Sequence, residues 1–392
     1  MRNYALVALA MLALLAAAAN AQDDTQDAAA EPERPFVRGG IGDKPFITRA
    51  GSTSLGGYTE AHFRYEREEG VLDEVTFEPK RINLFTFTSV SDRVRVASEI
   101  EFEEGGEEIV IELATVDFEL SNALSFRAGM LLSPIGKFNL AHDSPANELT
   151  DRPLVSTELA GVALSEPGMG FFGAFYPSPT SRVTYEVYAV NGFNDGVLVG
   201  DEGGTRLPAG KGTIEDNNTT PAIVGRVAYS PDPKLEVGVS GHRGQYNSNS
   251  IEGLEVDDSR SLGLYVLDAE LRLEHGTLRG EIAQANVDIP VGFTDLFAEN
   301  QLGYYVEAVV PFGAGWIRSI PDSSFAAIAR YGQVDFNTDV DGDSVARITL
   351  GANFRPHPDT AFKLDYQRTR ERDGFNNAAN AAAILFSVAS YF

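Results

Sequence analysis

Hydrophobic and polar residues alternate along most of this chain with a period of two. Arg93 to Glu103 is the cleanest case: Arg93, Arg95, Glu99, Glu101 and Glu103 share one face, and Val94, Val96, Ile100 and Phe102 share the other. Leu55 to Glu66 sets Glu60, His62, Arg64 and Glu66 opposite Thr59, Ala61, Phe63 and Tyr65. Successive side chains of a strand point to opposite sides, so this period predicts strands rather than helices. Sixteen strands are expected, near 53–66, 79–89, 92–104, 107–121, 123–132, 166–176, 181–192, 219–230, 233–245, 259–274, 276–288, 299–313, 323–335, 343–355, 358–371 and 380–392. Ile109–Leu120 and Leu262–Leu273 each swap their apolar face midway. A bulge, or a part protruding beyond a bilayer, is expected there.

The connections sort by parity. Val90-Ser91, Asn122, Pro177–Thr180, Pro231-Asp232, His275 and Pro356-His357 follow even-numbered segments and are tight. Those after odd-numbered segments are mostly longer, and many are acidic: EREEGVLDE, Ser133–Ser165, Phe193–Asn218, Tyr246–Asp258 and Ile289–Ala298. Ala314–Asp322 is long for a turn, and Gly105-Gly106 is short for a loop. A soluble sandwich has no reason to sort its loops this way, whereas a membrane barrel does. The fold expected is all-β: a 16-stranded antiparallel transmembrane β-barrel, charged faces toward a water-filled lumen and apolar faces toward lipid. Aromatics near strand ends (Phe171, Phe172, Phe175, Tyr176, Tyr185, Tyr188, Tyr304, Tyr305, Phe312 and Tyr391) suggest girdles at the lipid–water boundaries.

The first residues refine this picture. Arg2, the apolar run Ala5–Ala18 and the small-x-small site Ala19-Asn20-Ala21 read as a signal peptide over 1–21. Residues 22–50 (acidic, then rich in Pro and Gly) read as a periplasmic N-terminal tail, leaving 51–392 for the barrel. Beyond the leader no run of 18 apolar residues remains, so spanning by helices is excluded. The absence of cysteine excludes disulfide scaffolds and thiol chemistry. With 57 acids against 30 bases after loss of Arg2, non-specific nucleic-acid binding is not expected, and cations are drawn to the chain instead.

The last stretch, Ala381–Phe392 (AAAILFSVASYF), alternates and ends on an aromatic residue. It resembles the closing strand of bacterial outer-membrane barrels, which implies recognition by the barrel-assembly machinery through that strand. Ser390 stands where an aromatic residue is common in that pattern, with Tyr391 beside it. Phe126-Arg127-Ala128-Gly129, Pro134-Ile135-Gly136, Asp151-Arg152-Pro153-Leu154-Val155 and Glu166-Pro167-Gly168 together resemble the phosphate-selective porin O/P family and its uncharacterised relatives. The resemblance implies an outer-membrane porin for small hydrophilic solutes, with its third extracellular loop folded into the lumen. It also implies contacts with outer-membrane lipid and lipopolysaccharide, and a homotrimer. The family's arginine ladder does not carry over residue by residue, and the acid excess argues for weak cation preference.

The third loop supplies both signs of charge for a constriction: Lys137, His142, Asp143, Glu148, Asp151 and Arg152, with Arg127 as a candidate to face them across the lumen. Arg93, Arg95, Glu99, Glu101, Arg347 and Arg355 are expected to face the lumen. Passive diffusion requires no catalytic residue, cofactor or metal. Three rival readings stand beside it. One is an outer-membrane lipid-hydrolysing enzyme, for which His142 and Ser144 are neighbours in a loop without a GxSxG motif. Another is a calcium site in NTDVDGDS at 337–344, where Gly342 is out of register for an EF-hand. The third is a plugged structural or adhesive barrel.

Overall fold

The computed structural model describes residues 48–50, 52–200, 203–251 and 253–392. The signal peptide and residues 22–47 of the expected tail lie outside the described residues. The tail's last three, Thr48–Ala50, form a short strand antiparallel to Thr53–Leu55.

Sixteen strands make the ring. They are β1 (Thr53–Glu68), β2 (Val71–Ser89), β3 (Val94–Glu103), β4 (Glu108–Ser121), β5 (Leu124–Leu132), β6 (Ser165–Phe175), β7 (Arg182–Val190) and β8 (Ala222–Asp232), followed by β9 (Leu235–Gln245), β10 (Ser261–Leu273), β11 (Gly276–Val287), β12 (Asn300–Phe312), β13 (Ser324–Asp335), β14 (Ser344–His357), β15 (Thr360–Arg372) and β16 (Ala378–Tyr391). Each pairs antiparallel with the next. The ring closes where β16 pairs with β1, from Tyr58 opposite Tyr391 to Glu68 opposite Ala381. Phe392 adds two main-chain bonds to Gly57, at 2.9 and 3.1 Å. Closure pairs both edges of every strand of the ring, as the hydrocarbon of a membrane requires.

The parity of the connections holds, except that residues 104–107 make a short loop and residues 313–323 a long turn. The first loop is the opposite case. EREEGVLDE is mostly strand, and only Glu69-Gly70 separates β1 from β2. Cross-strand contacts carry the ladder outward: the Phe63 and Phe77 rings lie 4.8 Å apart, and Arg64 reaches Glu74 at 3.8 Å. Arg93 is a second correction. It is exposed in the turn before β3, where the Ser91 hydroxyl accepts from the amides of Arg93 and Val94.

The expected bulge in Ile109–Leu120 is present: Glu112 is skipped between the pairs Glu99–Leu113 and Ile100–Ile111. Leu262–Leu273 differs. Its register runs unbroken against both neighbours. Leu262, Leu264 and Val266 point into the barrel because the loop end of the lumen is itself apolar there. With Leu131, Tyr188, Val224, Ala283, Ala285 and Val334 they form one buried cluster, shared with Ile135, Leu154, Leu159, Phe193, Val197 and Leu207 of the third and fourth loops. The hydrophobic core thus sits inside the barrel, between wall and loops.

The outer face carries the exposed apolar belt, including Ile82, Leu84, Met169, Ile223, Leu267, Ile282, Val306, Leu350 and Leu364. A girdle runs across five neighbouring strands at the turn end: Phe312, Phe325, Phe354, Phe362 and Phe386 touch in sequence, at ring distances of 5.7, 5.1, 6.1 and 6.5 Å. Of the aromatics expected at the boundaries, Tyr188 and Tyr305 are instead buried inside, and Tyr391 donates to Asp143 of the third loop. Period two assigns a side chain to a face, and which face looks outward depends on closure.

Candidate functional site

The third loop, residues 133–164, crosses the barrel interior. At its base Asn139 Nδ2 donates to Ser133 O and Leu164 O, and Asn139 Oδ1 accepts from Leu164 N, tying the two ends together. Ser133 also donates to Glu166, which holds His242 of β9 at 3.0 Å. Gly136, in the left-handed region (φ +70), turns the chain into a short helix, Gly136–Leu140. A side chain at Gly136 would come within 2.8 Å of the Glu281 carboxylate, so only glycine lets the loop approach that wall. Glu281 then accepts from Phe138 N at 2.6 Å, and Lys137 reaches Glu236 and Glu270 at 3.3 and 3.4 Å.

From there the loop returns to the opposite side of the ring. His142 meets Glu112 of β4 at 2.6 Å, and Ser144 donates to Glu60 of β1 at 2.5 Å. Lys363 of β15, buried to 1 % exposure, donates to Ser144 O at 2.8 Å. Glu148 pairs with Arg355 at 3.2 Å and accepts from Asn353 at 2.8 Å. Thr150 binds Asp365 through its amide and Ser387 through its hydroxyl. Asp151 takes Arg64 at 2.8 Å and Arg347 at 3.6 Å, while its carbonyl accepts from Arg330 at 2.7 Å. Burial pushes the Asp151 carboxyl up, but Arg64 and Arg347 outweigh it and hold the group below its ordinary range.

The loop's last limb is apolar. Leu154 and a π-helical turn, Val155–Ala160, lie over β11 to β13. Wall glycines make the seat. A Cβ at Gly303 would fall 2.9 Å from Val155, and one at Gly351 only 2.3 Å from Leu149. The fourth loop, residues 191–221, packs on this limb: Lys211 reaches Gly161 O at 3.3 Å, and Pro208 Cα lies 3.3 Å from where a Gly161 Cβ would stand.

Six of the seven expected constriction residues therefore lie in one inward loop, five of them tied to wall groups. Arg152 is the sixth, without an ion pair among the described residues, and its Nη2 is buried with no hydrogen-bond partner. Arg127 differs from expectation. It faces inward on β5, but its fork closes on Asp117 at 2.7 and 2.8 Å and it stacks on Phe172, so it does not oppose the loop acids across a gap. Of the expected lumen-facing residues, Glu99 meets Asn83 and Glu101 meets Arg81, both buried. Arg95 pairs with Glu119 nearer the turn end, and Arg347 and Arg355 hold the loop. Wall partners such as Arg81, Glu112, Glu281, Glu307 and Lys363 had no distinguishing mark in the sequence beyond their parity. The inward role of Phe193, Val197 and Leu207 was signalled only by apolar residues in a polar loop.

A family model described as Gram-negative porin matches residues 8–374. An uncharacterized protein of Aquifex aeolicus (strain VF5) is 25% identical over 393 residues, covering 91% of this chain and 84% of that one. Among solved structures, the outer membrane channel DcaP of Acinetobacter baumannii superposes with a TM-score of 0.58 at 12% identity, over 88% of this chain and 99% of that chain. OmpT of Vibrio cholerae, an outer membrane protein in a trimer form, gives 0.53 at 11% identity, over 87% and 100%. At such identities these likenesses speak to the fold.

Proposed function

The chain belongs to the Gram-negative porin family, and from that premise we propose how this outer-membrane channel selects what crosses it. As a porin it lets small hydrophilic solutes diffuse passively through a water-filled lumen. The observation that carries the finer reading is the third loop, bonded to walls on opposite sides of the ring. In this reading Lys137, His142, Asp143, Glu148, Asp151 and Arg152 line the narrowest part. Lys137, Glu148 and Asp151 pair with opposite charges of the wall, His142 meets Glu112 and Asp143 accepts from Tyr391, which leaves Arg152, without an ion pair among the described residues, to act on passing charge.

The seven loops other than the third carry nineteen acids against three bases, Arg206, Lys211 and Arg260. A mouth of this sign raises local cation concentration, so weak cation preference follows. The reading is non-enzymatic: His142 is tied to Glu112, and Ser144 to Glu60. A homotrimer, contacts with lipopolysaccharide and capture of the Phe392 strand by the assembly machinery complete the proposal.

The test is single-channel recording of the purified, refolded protein in planar bilayers. Small ohmic steps are expected, because two loops occupy the loop end of the lumen. Absence of steps would favour a plugged barrel. Arg152→Ala should alter conductance or ion preference more than Glu69→Ala, since Glu69 sits at a hairpin tip bonded to Asn380. Equal effects would remove the third loop from the narrowest point.

A further inference from the structure

The fourth loop does not stop at the third. Its root lies between β7 and β8, yet it reaches the sixth and seventh loops, which join β11 to β12 and β13 to β14. There the Thr205 hydroxyl donates to Ala298 O at 2.9 Å, and Gln301 Nε2 of β12 donates to Thr205 O at 2.7 Å. Arg206 enters a socket in the seventh loop. Its Nη2 donates to Asp343 Oδ1 at 2.7 Å, and its guanidinium carbon lies 4.0 Å from the centre of the Phe336 ring. Main-chain bonds fix the socket: Phe336 N donates to Asp343 O at 2.8 Å, and Asp343 N to Asp373 O of the eighth loop at 2.9 Å. Past Arg206, the short turn Leu207–Gly210 packs on the Val155–Ala160 turn of the third loop, with Leu207 fully buried.

Residues 203–211 thus roof the third loop, and a solute at the loop end meets them first. The links that hold this limb to the far wall are few. The Arg206 and Asp343 side chains are 27 % and 22 % exposed, so water and salt weaken their attraction, and the Phe336 ring adds a contribution of similar size. Leu207 supplies an apolar seat that makes the closed position dominant. The ion pair multiplies that dominance and fixes where the limb comes to rest. A segment held by small terms of this kind opens locally while the barrel stays intact.

We propose that residues 203–211 are a lid over the third loop, and that the Arg206–Asp343 pair, seated on Phe336, is its latch. Released, the limb lifts and uncovers the loop end of the lumen. The consequence for transport rests on the channel reading above. The chain has no cysteine, so one introduced thiol is a clean reporter. Ala160→Cys places it at a site 8 % exposed, beside the Gly161 that Pro208 covers. The first readout is its labelling by a membrane-impermeant maleimide in the refolded full-length protein, with the heat-modifiable gel shift verifying the barrel in each variant. Adding Arg206→Ala should speed labelling about threefold to thirtyfold, for loss of both the pair and the ring contact. Asp343→Asn removes the pair alone and should speed it by at most about fivefold. Arg260→Ala, which breaks a pair with Asp257 in the fifth loop, should leave the rate unchanged. Labelling indifferent to Arg206, or raised as much by Arg260→Ala, would overturn the latch. The second readout is step size in planar bilayers, where Arg206→Ala should show larger steps more often. Faster labelling without conductance in any variant keeps the latch and overturns the channel reading. Conductance with labelling indifferent to Arg206 does the reverse.

Discussion

Asp151 shows how much a single carboxylate organises. It gathers Arg64 from β1 and Arg347 from β14, while its main chain holds Arg330 from β13. Asp151→Asn leaves two guanidinium groups short of an acceptor, and a loss of about 1–3 kcal/mol of stability is expected. The pH dependence has a definite sign. A carboxyl whose folded pKa lies below its unfolded value stabilises the fold above that unfolded value, near about 3.9, and stops doing so as pH falls through the depressed one. Thermal unfolding in detergent should therefore separate the unaltered protein from Asp151→Asn at pH 7, and the difference should fade below about pH 4. A difference that persists unchanged at pH 2 would point to packing instead of charge.

At the scale of elements, the third loop behaves as an internal layer of the fold. Leu159 is fully buried in the cluster that joins the loop to the wall. Leu159→Ala should lower unfolding stability by about 2–5 kcal/mol, a core-like cost, measured by urea titration of the refolded protein. A cost below about 0.5 kcal/mol, typical of a surface site, would mean that the loop is not packed. The wall glycines offer the complementary experiment. Gly351→Val places side-chain atoms where Leu149 now sits, and β14 cannot retreat because both its edges are hydrogen-bonded. The loop is expected to yield. Conductance steps should then grow and limited proteolysis should newly cut near residue 149, while the heat-modifiable gel shift of an intact barrel is kept.

For the whole molecule, the distribution of charge matters more than its total. Acids crowd the loop end, while the turns opposite, among them Pro233-Lys234 and residues 313–323, carry nearly balanced charge. Inside, charges are paired across strands, as with Arg81 among Glu60, Glu101 and Glu103, or Glu307 between Arg279 and Arg330. Cation preference should therefore arise at the mouth and be screened by salt. Reversal potentials in KCl gradients should show it near 0.1 M, where the Debye length is about 10 Å, and lose most of it near 1 M, where it is about 3 Å. Preference independent of salt would locate selectivity at the narrow point.

Period two along each segment determined the strand count, the antiparallel order and the parity of loops and turns, because a strand's two faces are written in consecutive residues. It also set Glu60, Arg64, Arg347 and Arg355 on one side of their strands. The third loop was conspicuous by length and by its leucines, so its residues were legible as a group. What no local pattern contained was the partner of each charge. Asp151 meets Arg64 and Arg347 only because the ring closes and brings positions 87 and 196 residues away to the same wall. Arg127 turned to Asp117 because the neighbouring strand offers a closer acceptor than the loop does. The apolar inner face of β10, contrary to the expected bulge, became intelligible only with two loops packed against it. Alternation is a property of adjacent residues and survives in the sequence; pairing across a lumen depends on closure and packing, which only the folded barrel decides.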